Sequence, residues 1–186
     1  MSAIPLTTAG GYPVPWTVSW SGEERFFIAP CRFADGMIAL CQDENPGVGR
    51  PMFAKPHSVR QRHAMARQLC DLCGKALQGH TKVSLSQESP RDVPTLGFVP
   101  LAVEPMMHRA CAVTALNCCP NLRQQQLDGI LRIRQVQACS LVAQLLNADA
   151  TLKFAGVAAA GAVGHMKLAI TRYIDRGAAW LGQVPP

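Results

Sequence analysis

Apolar and polar positions alternate near the start of the chain. "WTVSW" (16–20) alternates, "ERFFIAP" (24–30) is apolar and aromatic, and Ser21-Gly22 separates them. Two such runs around a turn-forming pair predict a β-hairpin. "GMIALC" (36–41) predicts a third short strand. Residues 1–15 are rich in Gly and Pro and show no period, so an irregular arm is expected there. "NPGVGRPMFAKP" (45–56) holds three prolines and two glycines. It reads as a loop and a module boundary.

After Pro56 the pattern changes. "HSVRQRHAMARQL" (57–69) has no breaker and predicts a helix with Ser58 as N-cap, running straight into Cys70. Val59, Met65, Ala66 and Leu69 supply its apolar side. Arg60, His63 and Arg67, at i, i+3 and i+7, share another face, with Arg62 beside it. "TKVSLS" (81–86) alternates like a strand, and "QESPRDVP" reads as a turn. "TLGFVPLAVE" (95–104) predicts a second strand, at an edge because of Pro100. "PMMHRACAVTALNCC" (105–119) predicts a helix with Pro105 in its first turn and Pro120 as its stop. Residues 121–146 carry a broad apolar stripe, which favours a helix from about residue 123, with a strand in "GILRIRQVQ" left open. "HMKLAITRYI" (165–174) is β-like, and "DRGAAWL" is expected to bury Trp180. No internal repeat is present.

With 186 residues and 48% hydrophobic content the chain can build a core. Its longest uncharged apolar stretch, Phe154 to Gly164, falls short of the roughly 20 residues that span a bilayer. No basic segment precedes an apolar run at the start, so no secretory signal is expected and a cytoplasmic location is. The net charge of +6 is uneven. Residues 1–45 carry two basic and five acidic side chains, and residues 46–93 carry eight and three. The excess around residues 46–93 points to an anionic partner, DNA or RNA or an acidic protein surface. Candidate contacts are Arg60, Arg62, His63, Arg67, Lys75 and Lys82, with Arg91 nearby and the C-terminal Lys167, Arg172 and Arg176 as a second set.

Eight cysteines in a reducing compartment argue for metal rather than a disulfide framework. Cys70 and Cys73 form C-x-x-C, followed directly by Gly74. His108 and Cys111 form H-x-x-C, and i, i+3 on a helix share a face about 5–6 Å apart at Cβ. Together they make a Cys3His set, the ligand number of a closed structural zinc site; a catalytic zinc usually keeps a position open. Gly74 is expected in a left-handed turn that aims backbone N–H groups at the thiolates. Cys118 lies about 10.5 Å further along a continuous helix and is out of reach. Cys31, Cys41, Cys118, Cys119 and Cys139 are expected as small core residues. His57, His63 and His80 are expected at the surface or beside the metal.

The order of knuckle ending in Gly74, two-stranded unit, and helix carrying His108 and Cys111 resembles the treble-clef zinc finger over residues 70 to about 118. "KPHSVRQRHAMARQLCDLCGKAL", "TKVSLS" and "EPMMHRACA" also resemble a group of small zinc-binding proteins of bacteriophages and bacterial genomes, which brings no function with it. The resemblance implies an α+β fold with one Zn2+. An N-terminal arm and β-hairpin unit (1–56), a basic helix plus zinc module (57–120) and a C-terminal α/β segment (121–186) are expected. The basic helix and its neighbouring Lys75, Lys82 and Arg91 lead to the expectation of a binding protein for nucleic acid or for a nucleic-acid-handling host complex, regulatory or anti-defence if the chain is of phage type. The alternative is a metal-dependent nuclease of the His-Asn-His type. For that chemistry His80 sits close to the knuckle, and Ala112 follows the last ligand where related nucleases have Asn or His. The nearest asparagine, Asn117, lies on a later turn. Gly156, Gly161 and Gly164 space like a phosphate loop, but Ala162 stands where that loop needs Lys.

Overall fold

The chain's apolar alternation resolves into an eight-stranded sheet that curls around a mixed α+β core. The computed structural model describes residues 6–182. In chain order the elements are β1 (Thr8–Ala9), β2 (Tyr12–Pro13), β3 (Val18–Trp20), β4 (Phe26–Pro30), β5 (Ile38–Gln42), β6 (Pro51–Pro56), α1 (Ser58–Ala66), β7 (Lys82–Ser86), β8 (Pro90–Val93), β9 (Gly97–Ala102) and β10 (Met107–His108). There follow α2 (Arg109–Cys118), α3 (Pro120–Leu127), β11 (Arg132–Leu145), α4 (Ala148–Ala155), β12 (Val163–Arg176) and α5 (Ala178–Gly182).

The main path of the sheet runs β10-β7-β11-β12-β5-β4. β11 and β12, 14 residues each, pair antiparallel along nearly their whole length. The far edge of β12 is shared: β5 meets it in parallel at Val163↔Ala39, and β9 meets it at Leu168↔Ala102 and Ala169↔Leu101. Strands from the first, middle and last thirds of the chain therefore share one sheet. β8 and β9 form a hairpin in which Pro90 faces Pro100. Pro100 is buried between β8 and the β12 contact rather than at a free edge. The principal core combines Met65, Leu77, Val83, Met107, Leu116, Leu168, Ile170 and Leu181. Among the described residues no helix is long and apolar enough to cross a membrane.

Several expectations are corrected. The hairpin over 16–30 does not form. β3 pairs with β6 and β4 with β5, because Ser21–Glu23 closes a 3-10 turn that directs the chain away. That turn is fixed by Glu23, whose carboxylate accepts the Trp20 N–H at 2.7 Å. The loop over 45–56 is thus loop and then strand, with β6 starting and ending on proline. The helix expected over 105–119 begins at Arg109, since Met107 and His108 pair with β7. Pro120 ends α2 and also opens α3 at its first position, where its missing N–H is not needed. A helix from about residue 123 to 146 is wrong beyond Leu127. Gly129 turns left-handed (φ +70) and the chain enters β11, flanked by β7 and β12. The strand over 165–174 forms and is longer. Trp180 is half-buried in α5, with the Arg109 and Arg176 guanidinium carbons 4.5 and 5.3 Å from its ring.

The largest correction concerns α1. Ser58 is not its N-cap: His57 is, its Nδ1 accepting the Arg60 N–H at 3.2 Å. His57 is fully buried, not a surface group. Arg60 and Arg62 are 3% and 0% exposed, so the expected solvated basic face does not exist at these two positions. Arg60 forks onto Glu23 at 2.6 and 2.7 Å and also donates to the carbonyls of Trp16 and Val18. Gln61 donates to the carbonyls of Val103 and Met166 and accepts the Met166 N–H. Arg62 donates to the carbonyls of Leu40 in β5 and Gly164 in β12, immediately beside the single β5–β12 rung. Three consecutive polar side chains thus stitch the helix to three strands, supplying hydrogen bonds that the forked sheet leaves open.

Candidate metal centre

Cys70 and Cys73 sit in a tight turn just after α1. Leu69 bridges Ala76, the Cys70 N–H donates to the Lys75 carbonyl at 2.8 Å, and the Gly74 N–H donates to the Cys70 carbonyl at 2.8 Å. Gly74 has φ +68, the expected left-handed conformation. It is also covered: a Cβ there would lie 2.7 Å from the Trp16 ring. The knuckle is fastened to the segment just before β10, where the Asp71 N–H donates to the Met106 carbonyl. On that side His108 occupies the N-cap of α2 and Cys111 lies on its first turn.

The sulfur and nitrogen donors of Cys70, Cys73, His108 and Cys111 all lie within 4.8 Å of one another. His108 Nδ1 is 3.5 Å from Cys73 Sγ and 3.8 Å from Cys111 Sγ. A tetrahedral ion with bonds of about 2.0–2.3 Å sets donor separations of roughly 3.6–3.8 Å. The other ring nitrogen, Nε2, donates to the Ala76 carbonyl at 3.0 Å. This contact fixes the tautomer with Nδ1 as the free donor, the orientation that metal-binding histidines usually receive from a backbone carbonyl or carboxylate. Cys70 and Cys111 are buried, Cys73 and His108 half-buried.

The electrostatics favour a cation. The hydrogen bond with Cys111 is the main reason the Cys70 thiol is pushed down to about 5. The same bond is the main force pushing Cys111 up, and burial is the main force pushing Cys73 up; the charge of Cys70 adds to both. One thiolate forms readily, then, and its charge opposes the other two. A bound dication removes that conflict, since thiolates are the ligating species.

The structure places the remaining candidates as follows. His63 is half-buried, stacked on Phe33 at 4.0 Å with Trp16 edge-on at 5.4 Å. Arg67 and Lys75 are exposed, and half-buried Lys82 donates to Gln68. His80 is exposed, edge-on to His108 at 5.0 Å. Arg91 pairs with Glu88 at 3.0 Å on the surface. Arg172 is exposed, while Lys167 and Arg176 are half-buried. Cys31 and Cys41 are buried; Cys118, Cys119 and Cys139 are half-buried; none of the eight cysteines is in a disulfide. Among the described residues no second group of metal-type donors gathers. Trp16, which lids Gly74, was missed, because an aromatic 54 residues before Cys70 carries no local signal. No protein-family model, no curated protein and no solved structure matches the chain.

Proposed function

We propose that the four donors hold one zinc ion in a closed centre of treble-clef type, and that the protein is a zinc-stabilised binding module for nucleic acid. The observation that carries the metal reading is the gathering of the complete Cys3His set within 4.8 Å, with its imidazole oriented by Ala76. Three thiolates and one imidazole suit zinc and are unsuited to magnesium or calcium. Four protein ligands leave no position for a reacting water, so the centre's work is to tie the knuckle to α2. The net charge of +6 supports an anionic partner. With three thiolates and Zn2+ the centre itself keeps one negative charge. The nuclease alternative gains no support, since His80 rests against a candidate ligand.

Zinc is tested by elemental analysis of the purified protein, expected at about one ion per chain. Binding is tested by fluorescence anisotropy with single- and double-stranded DNA and RNA from low to high salt. Log affinity should fall linearly with log salt. No association with any of them at low salt would end the nucleic-acid reading, and zinc-free folded protein would end the metal one.

A further inference from the structure

The end of the β11–β12 ribbon carries two arginines on one face, Arg132 and Arg134, that the metal centre does not use. A cavity of about 410 Å³ opens there, lined by Ser89, Arg132, Arg134, Tyr173, Asp175 and Arg176 among others. We propose that this cleft binds a phosphate group. The register sets Arg134 opposite Asp175, and Arg132, two residues earlier, lies on the same face of β11, whereas Arg176, opposite Ile133, lies on the other face.

Arg134 is the decisive residue. It is only 3% exposed, yet its hydrogen-bond partners are neutral. Nη1 donates to Ser86 Oγ at 3.1 Å and Nη2 to the Glu88 carbonyl at 2.7 Å. The guanidinium lies 5.3 Å from the Tyr173 ring. Its Nε–H is buried without a hydrogen-bond partner. The nearest carboxylate, Asp175, stands 3.6 Å from that Nε and is 69% exposed, which makes it a weak, water-screened counter-charge. Arg176, on the other face, donates from Nε and Nη2 to Gln135 Oε1 at 3.0 and 2.7 Å and is not counted among the cleft's cations. Arg132 is exposed at the mouth. Neutral partners thus orient Arg134 without cancelling its charge.

A buried cation without a full counter-charge is costly, and an anion supplying acceptors at Nε removes that cost. Arginine forks match phosphate geometry in two-point contacts. The cavity is larger than one phosphate needs and leaves room for the group that carries it, next to Tyr173. That group is a nucleotide of a nucleic-acid backbone or a small phosphorylated molecule. Only the choice between these sources rests on the nucleic-acid reading above.

The test uses the full-length zinc-loaded protein. Inorganic pyrophosphate is titrated at constant ionic strength against a chloride control, with amide NMR shifts as readout. A labelled 12-nucleotide single strand is titrated in parallel by anisotropy. Pyrophosphate should move amides in 86–89, 132–135 and 173–176. Arg132→Ala, at an exposed position, should weaken its binding about three- to tenfold and lower the oligonucleotide salt slope by roughly 0.7. Asp175→Asn, which removes the competing carboxylate, should tighten both ligands, a gain that misfolding does not produce. If pyrophosphate binds at these amides and the strand does not, the cleft stands with a small phosphorylated ligand, and the nucleic-acid reading falls. If the strand binds while these amides stay silent and Arg132→Ala keeps the parental slope, the cleft proposal is overturned and the nucleic-acid reading survives. Silence with both ligands overturns both.

Discussion

Glu23 and Arg60 show how a single residue is read wrongly from composition. Burial alone would raise the Glu23 carboxyl, but hydrogen bonds from Arg60 and the Trp20 N–H, together with the Arg60 charge, hold it below the ordinary carboxylate range. Both side chains are buried and each nitrogen of the Arg60 guanidinium donates at least one hydrogen bond. Glu23→Gln should therefore cost about 3–5 kcal/mol, because it leaves a buried guanidinium unpaired; urea unfolding measures this. A loss under 1 kcal/mol would show that water reaches the pair. The sequence announces a charge but not its partner. Glu23 lies 37 residues from Arg60, and the carbonyls of Trp16, Val18, Leu40 and Gly164 have no signature at all. The metal donors were legible for the opposite reason: each pair is local, so spacing alone sets its geometry.

His57 belongs to the same scale. Burial foremost holds it below the usual histidine range, and burial likewise lowers His63 and His165. Above about pH 6.5 both folded and unfolded chains are neutral at these sites, so they contribute nothing there. As the pH falls below that, the unfolded chain takes up protons that the folded one refuses, and stability is lost. His57→Asn keeps a helix-capping acceptor but cannot titrate. Its stability should fall less steeply than the parent's between pH 6.5 and 5, by at most about 1.4 kcal/mol per pH unit. Chemical melts at several pH values compare the two, and parallel curves would assign the acid sensitivity to other groups.

Among the elements, the knuckle and α2 bear the sharpest expectations. Gly74→Ala places a Cβ against the Trp16 ring at a left-handed φ, and should cost about 1–3 kcal/mol while loosening the metal. Competition with a chromogenic chelator reads the change, and unaltered affinity would mean that the turn tolerates the methyl. Cys111→Ser should release the ion, whereas Cys118→Ser should retain it, because Cys118 ends α2 outside the donor cluster. Zinc content decides this, and loss in Cys118→Ser alone would overturn the ligand set. The strand over 82–86 was readable from its alternation and the helix from its unbroken run of helix formers, although the helix ends at Ala66, with Gln68 left-handed, instead of running into Cys70. The region after Leu127 was not readable, since its apolar residues fit both a helix stripe and a strand buried on two flanks.

Across the whole molecule the three expected stretches are interleaved by the sheet. That interleaving is a long-range property: β5 meets β12 through one rung 124 residues apart in sequence, which no local pattern encodes. The bridging of Leu40 and Gly164 by Arg62 makes that junction depend on a third segment. Arg62→Lys should open it, because one ammonium cannot reproduce the planar fork. Hydrogen exchange at residues 38–42 and 163–166 should then quicken while the metal stays bound. Unchanged protection there would show that the rung closes the junction unaided.

The position of β12 has a consequence for how the molecule is made. All four metal donors have been synthesised once Cys111 is added, yet the strand that β5, β9 and β11 all require ends 65 residues later, at Arg176. At about 5–20 residues per second the ribosome needs roughly 3–13 s to close that gap. On the zinc reading proposed above, the nascent chain can take up its ion and fasten its knuckle to α2 during this interval. Its long unpaired strands meanwhile await their central member, so the newborn chain is open to chaperones and to edge-to-edge association until translation reaches its last strand.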